Sequence, residues 1–219
     1  MNISKRLKSI SDLIDNNSNI VDIGCDHALL DIYLTIYKKC NCTALDVNET
    51  ILKNAKKNIK KYDLQDKITV TVGNGFDNLN LNYNNTIILS GMGTSTIIKI
   101  IKKNKTKNII CQTNTNQYEL RKTICNLGYY IVKENIIFEN NKYYISIKFE
   151  KGNKKYNDKD YLLGPILRQE NSETFISYKK NMYKKNYLGY LESLKFNKNN
   201  KKLHMMMEIL KEEQLIEKM

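Results

Sequence analysis

From Asn19 onward, short β-rich runs alternate with amphipathic helical stretches, and this alternation is the feature that most constrains the fold. The β-rich runs are NIVDIG, CTALDV, KITVTVG, TIILSG and NIICQ. Apolar residues at helical spacing follow the first, second, fourth and fifth of them. Strand, helix and strand in succession form right-handed crossovers, so the pattern predicts an α/β fold with a mainly parallel sheet.

Two more β-rich runs, YYIVKENIIFE and KYYISIKFE, follow with no helical stretch between them. The turn-prone pair Asn140-Asn141 joins them, so we expect an antiparallel pair of strands at one end of the sheet. Such an ending favours a Rossmann-like methyltransferase sheet over the sheet of a plain dinucleotide-binding domain.

The composition changes after Glu150, and we place a domain boundary there. Residues 1–150 are expected to form the α/β domain, and residues 151–219 a basic, helical second domain. The polar stretch KGNKKYNDKD is interpreted as a linker, and Gly164-Pro165 interrupts any helix at that point. Apolar residues then recur at helical spacing on both sides of a break, NKNNK, which predicts an antiparallel, coiled-coil-like helical hairpin. The recurring residues are Phe175, Tyr178, Met182, Tyr187, Tyr190, Leu191 and Leu194, then Leu203, Met206, Met207 and Leu210.

Basic residues outnumber acidic residues by 36 to 23, which gives a net charge of +13. Such an excess favours a polyanionic partner, because each neutralised phosphate releases counterions. An AT-rich coding composition explains many lysines equally well. Lysine pairs in the second domain are candidate phosphate contacts, with a solvated helix face as the alternative for each. These pairs are Lys179-Lys180, Lys184-Lys185 and Lys201-Lys202. The aromatic residues among them are interpreted as packing rather than as base-stacking surfaces.

The sequence also indicates a cellular compartment. No apolar run approaches the roughly 18 residues that cross a bilayer, and the first residues, MNISKRLKSIS, lack the apolar core of a signal peptide. The five cysteines form no C-x-x-C pair and the two histidines lie far apart, which argues against a zinc site. An odd number of thiols fits a reducing cytosol. We therefore expect a cytoplasmic protein with no bound metal and no membrane partner.

The segment from Val21 to His27 lies where the first strand meets the first crossover helix, a place where open α/β sheets bind ligands. A dinucleotide site needs several glycines to admit a pyrophosphate, but this turn has only Gly24, flanked by Asp22 and Asp26. The two carboxylates would repel a pyrophosphate and suit a ligand that carries an ammonium and a sulfonium. The turn therefore predicts S-adenosylmethionine (SAM) as the ligand. The alternative is that Asp26 is only a helix N-cap beside a turn glycine.

Polar or small residues also end the other strands. Asp46 is placed to bind ribose hydroxyls, and Asn74 and Phe76 to contact an adenine edge and face. The glycines of Ser90–Gly93 open space at the mouth of the sheet. The amides of Gln112–Asn114 can hydrogen-bond the polar edge of a base.

Taken in order, these motifs resemble those of the bacterial tRNA adenine-22 N1-methyltransferase family, the TrmK-like proteins. DIGCDHALL stands where the family reads DIGSDHAYLP, GNGF where it has a GDGL-type turn, SGMGT for AGMGG, and QTN for QPN. Further matching positions are Arg6-Leu7, Leu120-Arg121, Gly128-Tyr129, Glu134, Glu139, Lys142-Tyr143 and Leu163-Gly164-Pro165. The resemblance covers nearly the whole chain.

The resemblance implies a Rossmann-like catalytic domain, SAM as the methyl donor, and a coiled-coil hairpin that helps to hold tRNA. The implied enzyme transfers a methyl group to N1 of adenine 22, and we expect it to be a monomer. The expected cofactor residues are Asp22, Gly24, Cys25, Asp46, Val47, Asn74, Gly75, Ser90, Gly91, Met92 and Gly93. The residues expected at the target adenine are Asp26, His27 and Asn114.

Four positions depart from the family pattern: Asn74 replaces an aspartate, Thr113 a proline, Thr94 a glycine and Cys25 a serine. At Asn74, an amide oxygen has to accept the hydrogen bond of the adenine amine. The other three departures bear on affinity and loop rigidity rather than on the type of reaction.

The reaction is an in-line displacement on the SAM methyl by the lone pair of adenine N1, and positioning supplies most of the catalysis. N1 is normally buried by pairing or stacking, so the base has to be extruded first. We expect Asn114 and Asp26 to hold the adenine edge, and Asp26 or His27 to accept a proton from N6. For His27 the alternative is a residue with no catalytic part.

The sequence leaves other functions open. One is a methyltransferase for another RNA position or a small molecule, although the basic second domain argues against a small substrate. Another is a catalytically silent RNA-binding protein that keeps the fold. A nicotinamide dehydrogenase is disfavoured because the pyrophosphate glycines are missing.

Overall fold

The structure of the chain, a computed structural model, describes residues 1–77, 79, 81–195 and 200–216. It divides into two compact units, Met1–Lys155 and Tyr156–Met219. Within the described residues, every helix is too short or too polar to span a lipid bilayer.

The first unit is built on one sheet, to which the described residues contribute seven strands in the order β3-β2-β1-β4-β5-β7-β6. The strands are β1 (Asn19–Ile23), β2 (Asn41–Asp46), β3 (Ile68–Val72), β4 (Thr86–Met92), β5 (Asn108–Thr113), β6 (Tyr129–Glu139) and β7 (Lys142–Lys151). β1 to β5 pair in parallel, whereas β7 is antiparallel to both β5 and β6. The predicted α/β fold, with a mainly parallel sheet and an antiparallel ending, is confirmed.

The strand order reverses at β1, which pairs with β2 on one side and with β4 on the other. Chains leaving the carboxyl ends of β1 and β4 therefore diverge and open a crevice, the usual ligand site of such sheets. β4 extends beyond the predicted run TIILSG to Met92, with an irregularity in its pairing between Ser90 and Met92. Gly91 sits at this irregularity with φ at +75°.

The helices of the first unit are α1 (Lys5–Ser11), α2 (Leu29–Lys38), α3 (Glu49–Lys61), α4 (Thr94–Ile101) and α5 (Gln117–Asn126). Their starts follow from local chemistry where a side chain caps them. Asn48 accepts from the backbone N–H groups of Thr50 and Ile51 at α3, and Asn116 accepts from that of Glu119 at α5.

Helix α1 precedes the first predicted strand and was not predicted from the sequence. Ser4 caps it locally, and the carboxylate of Glu139 accepts from the backbone N–H groups of Lys5, at 2.7 Å, and Arg6, at 3.2 Å. A helix of this length is marginal in isolation. Its stability therefore depends on a residue more than a hundred positions away in the sequence.

The core explains the continuous apolar runs of the central strands. Residues 87–89 of β4 and 109–111 of β5 are fully buried, as expected for parallel strands covered on both faces. The ion pair between Arg121 of α5 and Glu134 of β6 is also fully buried, with Nε and Oε1 2.7 Å apart. It joins the last crossover helix to the antiparallel end of the sheet.

The second unit contains α6 (Asp158–Leu163), α7 (Pro165–Glu170), α8 (Glu173–Lys195) and α9 (Lys201–Ile216) among its described residues. The predicted linker 151–160 is shorter than expected, because β7 continues to Lys151 and a capping box between Asn157 and Asp160 starts α6. The predicted interruption is confirmed, since Gly164 ends α6 and Pro165 begins α7.

Helices α8 and α9 form the predicted hairpin. Gly189 lies near Leu203, and Lys179 near Glu213, so the two helices run antiparallel. Phe175, Met207 and Leu210 are buried. The predicted break at 197–201 falls mainly on residues outside the described ones, and so do the side chains of Tyr190 and Leu194.

The prediction that Lys179 contacts phosphate is wrong. Its side chain is only 4% exposed, its ammonium lies 3.6 Å from a Glu213 carboxylate oxygen, and it donates to Asn171 Oδ1. Glu213 also accepts ion pairs from Lys159, at 2.8 Å, and Arg168, at 3.5 Å. Lys179 therefore belongs to an internal charge cluster and is not a phosphate contact, because its charge is already compensated inside the unit.

Candidate active site

The turn between β1 and α2 has an unusual backbone. Gly24, Asp26 and Ala28 have φ values of +78°, +52° and +55°, which lie in the left-handed region. The backbone N–H groups of Gly24 and Cys25 both donate to the carbonyl of Leu45 in β2, at 2.7 and 3.0 Å. The φ of +78° favours glycine at position 24, and a side chain there would also have to displace the methyl end of Met92.

A cavity of about 430 Å³ lies above this turn, at the carboxyl ends of β1 and β4. Nine of the residues predicted for the site line it: Asp22, Gly24, Cys25, Asp26, His27, Asp46, Ser90, Gly91 and Met92. These nine residues come from three separate parts of the chain and meet in one crevice. This convergence is what the strand-end pattern predicts.

The other predicted residues lie around this cavity rather than in its wall. Asn74 and Gly75 line a second cavity of about 340 Å³, together with Phe76 and Lys99. Val47 is 66% exposed at the end of β2. Gly93 caps α4, and Asn114 contacts the cavity wall through Gly91.

Asp46 ends β2 with a partly organised carboxylate. Its Oδ1 accepts from the backbone N–H of Asn48 at 2.9 Å. No described residue hydrogen-bonds its Oδ2, and the side chain lines the cavity. This arrangement leaves an acceptor oxygen for a hydroxyl group of a ligand.

A hydrogen-bond network supports the cavity on the β4 and β5 side. Gln112 is fully buried, and its Oε1 accepts from Arg6 Nη1 at 3.1 Å and from the Gly91 backbone N–H at 3.2 Å. Its Nε2 donates to Asn114 Oδ1 at 3.2 Å, and Asn114 Nδ2 donates to the Gly91 carbonyl at 2.7 Å. Both ends of the exposed Asn114 amide are therefore held in place, with one N–H of its NH₂ group left to donate outward.

Gln112 cannot present its amide to a base, because the side chain is buried and its two ends are engaged inside the protein. Among the predicted amides, only that of Asn114 is exposed at this mouth. Gln112 instead fixes the orientation of Asn114.

Asp26 and His27 are exposed at the rim of the cavity, with His27 Nε2 3.5 Å from Asp26 Oδ1. The alternative interpretation of Asp26 as a helix cap is wrong. The N-cap of α2 is Ala28, and it makes no side-chain capping bond. Asp26 adopts a strained left-handed conformation without capping anything, which is typical of a functional position.

The sequence analysis did not assign two residues, Arg6 and Asp31, to the site. Arg6 lines the cavity from α1, and its position depends on Glu139 and Gln112, so no local pattern reveals it. Asp31 is fully buried in the first turn of α2. The sequence did indicate that Asp31 is unusual, because it is a charged residue between Leu30 and Ile32 in an apolar helical stretch.

The electrostatics of the cavity are dominated by carboxyl groups in a dry setting. Burial raises the pKa of Asp22 well above its usual value, and the neighbouring Asp31 raises it further, while the guanidinium of Arg6 lowers it. Burial also raises the pKa of the Cys25 thiol. Cys25 therefore stays protonated and does not act as a nucleophile.

Comparisons with known proteins agree with this geometry. Residues 3–147 match the family model described as "Methyltransferase domain". The chain is 34% identical over 174 residues to the putative tRNA methyltransferase MG248 of Mycoplasma genitalium, covering 75% of this chain and 78% of that protein. It is 27% identical over 191 residues to the tRNA (adenine(22)-N(1))-methyltransferase of Bacillus subtilis, covering 80% and 79%.

A solved structure is similar along almost the full length. It is that of Streptococcus pneumoniae Sp1610, described as a putative tRNA (m1A22) methyltransferase in complex with S-adenosyl-L-methionine. The TM-score is 0.86 at 27% identity, with 96% of this chain and 99% of the other covered.

Proposed function

The chain belongs to the methyltransferase domain family, in its tRNA (adenine(22)-N(1))-methyltransferase branch, and from this premise we propose that it transfers a methyl group from SAM to N1 of adenine 22 in tRNA. The observation that carries the proposal is the acidic crevice at the β1–β4 switch point, lined by nine of the predicted site residues. Relatives with the same fold carry this activity in their names.

The residues in the crevice fit SAM. Asp22 and Asp26 supply carboxyl groups for its cationic methionyl end, and Asp46 offers an acceptor oxygen to the ribose hydroxyls. Gly91 keeps the crevice wall free of a side chain beside Arg6, and glycine at position 24 avoids an overlap with Met92. Arg6 supplies a cation to the wall and would hold the cofactor carboxylate. When bound, SAM supplies a methyl group activated by a positive sulfur.

We place the adenine portion toward the second cavity, where Asn74, Gly75 and Phe76 meet. Asn74 carries an amide oxygen that can accept from the adenine amine, and Phe76 a ring that can pack against its face. Val47, at the exposed end of β2, and Gly93, at the start of α4, would complete this side of the binding surface.

The target base is held at the rim. Asn114 donates the remaining N–H of its fixed amide to an acceptor on the base edge, and Asp26 accepts from the N6 amine. Asp26 or His27 takes up the N6 proton after N1 has been methylated. Pairing or stacking normally covers N1, so the adenine must leave its stack to reach these three side chains.

The second unit would contact the tRNA backbone. Lys180, Lys184, Lys185, Lys201 and Lys202 are exposed on α8 and α9. Exposed lysines on two helices of one hairpin are suited to contact with phosphate groups. Lys179 is excluded from this surface because it is buried against Glu213.

Cytoplasmic localisation and a monomeric state are further parts of the proposal. The described cysteines are all free, and four of the five are buried, which fits a reducing compartment. Light scattering coupled to gel filtration would test the monomer, and a dimer mass would contradict it.

The decisive experiment incubates the protein with isotopically labelled SAM and unmodified tRNA that carries adenine at position 22. The expected product is 1-methyladenosine at that position, located by mass mapping of nuclease fragments. A matched tRNA with guanine at position 22 should gain no label. A methyl group found at another position would show that the enzyme modifies a different site. Binding of tRNA without methyl transfer would show that the protein is an RNA-binding protein and not an enzyme.

A further inference from the structure

Two buried carboxyl groups, those of Asp22 and Asp31, meet at the edge of the cofactor crevice. Asp22 lines the crevice although it is only 2% exposed, whereas Asp31 in α2 is 0% exposed and does not line it. The two carboxyl groups are close enough for each to shift the pKa of the other. A crevice acid is thus backed by a second acid that does not line the crevice.

The backbone of the turn produces this contact. Left-handed residues at Gly24, Asp26 and Ala28 turn the chain back on itself within five residues of β1. The first turn of α2 therefore starts close to the end of β1, and Asp31 becomes a neighbour of Asp22. Each left-handed non-glycine residue costs free energy, so the turn is held in place by its surroundings.

Hydrogen bonding around the pair is incomplete among the described residues. Asp22 Oδ1 and both carboxylate oxygens of Asp31 are buried without a donor. Two ionised carboxylates can only accept, so they would repel each other in a dry site. A single proton between them removes one charge and supplies the missing donor.

Few other charged or titratable groups face the pair. Arg6 from α1 acts on Asp22 favourably, and Asp46 from β2 acts on it unfavourably. The thiols of Cys25 and Cys42 also border the pair, and burial raises the pKa of each, so they remain neutral. The proton therefore belongs to the two carboxyl groups.

We propose that Asp22 and Asp31 share one proton, and that Asp31 is a positioning residue that sets the negative charge Asp22 presents to the cofactor ammonium. This inference rests on SAM as the cofactor. Asp31 does not contact the ligand and acts only through Asp22.

The coupling has a definite sign. Burial raises the pKa of Asp31 to about 7 and that of Asp22 above its usual value. A cationic ligand group favours the ionised pair, so binding releases a proton. Affinity for the cofactor is then full above pH 7 and falls as the pH drops below it, by about tenfold between pH 8 and pH 6 for one linked proton.

Calorimetry with S-adenosylhomocysteine tests the coupling, because this product keeps the ammonium and is chemically stable. Titrations at pH 7 in buffers of different ionisation enthalpy measure the protons released per ligand bound. The wild-type protein should release a large fraction of one proton, and its dissociation constant should rise about tenfold from pH 8 to pH 6.

Asp31→Asn is the informative variant, since it keeps the shape and supplies a permanent N–H donor to Asp22. It should bind like the wild type at pH 8 and about tenfold more tightly than the wild type at pH 6. Asp63→Asn, at an exposed position, is the matched control and should keep the wild-type pH dependence. The variant also corrects for titration of the ligand amine itself, which both proteins share.

Carboxyl carbon NMR of the ligand-free protein with labelled aspartate tests the shared proton directly, even if a variant does not fold. A buried aspartate titrating near pH 7 is expected. An ordinary acidic midpoint for every aspartate, or an unchanged pH dependence in Asp31→Asn, would overturn the pair. Absence of S-adenosylhomocysteine binding at any pH would instead overturn the proposed cofactor, and with it the coupling, while the NMR result still decides whether the proton is shared.

Discussion

The two units of this chain place their charged residues in opposite ways. In the first unit, the decisive charges are buried or held in strained turns, as at Asp22, Asp26 and the Arg121–Glu134 pair. In the second unit, most lysines of α8 and α9 are exposed, and one internal cluster around Glu213 holds the helices together. The first arrangement suits chemistry at one atom, and the second suits contact with a repeating polyanion. Charge-removing variants of the first unit should therefore affect stability and catalysis, whereas those at the exposed lysines of the second unit should affect tRNA binding.

The largest expected effect is on stability, from Glu134→Gln. The variant leaves the Arg121 guanidinium charged and buried without its carboxylate, which typically costs about 3–5 kcal/mol of unfolding free energy. Urea or thermal unfolding measures it. A change below about 1 kcal/mol would show that the pair contributes no more than a surface ion pair.

Glu213→Gln is the matched change in the second unit. Burial raises the pKa of Glu213, but the cations of Lys159, Arg168 and Lys179 outweigh it and lower the pKa overall. The carboxylate therefore stabilises the unit at neutral pH, and this contribution is lost as the pH falls through the lowered pKa. We expect Glu213→Gln to reduce the free energy of unfolding less than Glu134→Gln does. This reduction should be present at neutral pH and disappear at acidic pH.

The next effect is on catalysis, from Asp26→Asn. Asparagine tolerates the left-handed backbone at this position, so the change removes the charge and the proton acceptor with little strain. Methyl transfer should fall by about 100-fold or more. Calorimetric binding of S-adenosylhomocysteine should remain measurable. Undiminished turnover would remove Asp26 from the mechanism.

Gly24→Ala should weaken cofactor binding. The new methyl group meets the Met92 side chain, and φ at +78° is strained for alanine by about 1–2 kcal/mol. Because Gly24 and Met92 both line the cavity, a shift of either changes its shape, and we expect affinity for S-adenosylhomocysteine to fall about tenfold. Gly189→Ala in α8 is the matched control, because helical glycine is less favourable than alanine and the site has room. It should leave cofactor affinity unchanged.

The smallest effect is expected at the exposed lysines. Replacing both Lys184 and Lys185 with Gln should weaken tRNA binding a few-fold and reduce the slope of log affinity against log salt by about 1.5. Cofactor affinity should not change. Filter binding at several salt concentrations measures the slope, and an unaltered slope would remove this helix face from the RNA surface.

The fold could be predicted from the sequence because the local pattern of apolar residues shows which face of each helix or strand is buried. The apolar runs of β4 and β5 and the amphipathic spacing of α3 follow from which faces are covered. The same logic placed Asp22, Asp46 and Ser90 at strand ends, where the sheet topology gathers them into one crevice.

Contacts between distant segments of the chain could not be predicted from local sequence patterns. Nothing near Arg6 indicates that Glu139 caps its helix or that Gln112 accepts from its guanidinium. The burial of Lys179 likewise depends on Glu213, in the other helix of the hairpin.

The sequence by itself determined the order of strands and helices, the acidic turn around Gly24 and the basic character of the second unit. Only the tertiary structure decided that Asp31 backs Asp22, that Gln112 fixes Asn114, and which lysines remain exposed. The physical reason is range. Periodicity and turn chemistry act over a few residues, whereas desolvation and hydrogen bonding of these side chains depend on segments brought together by the fold.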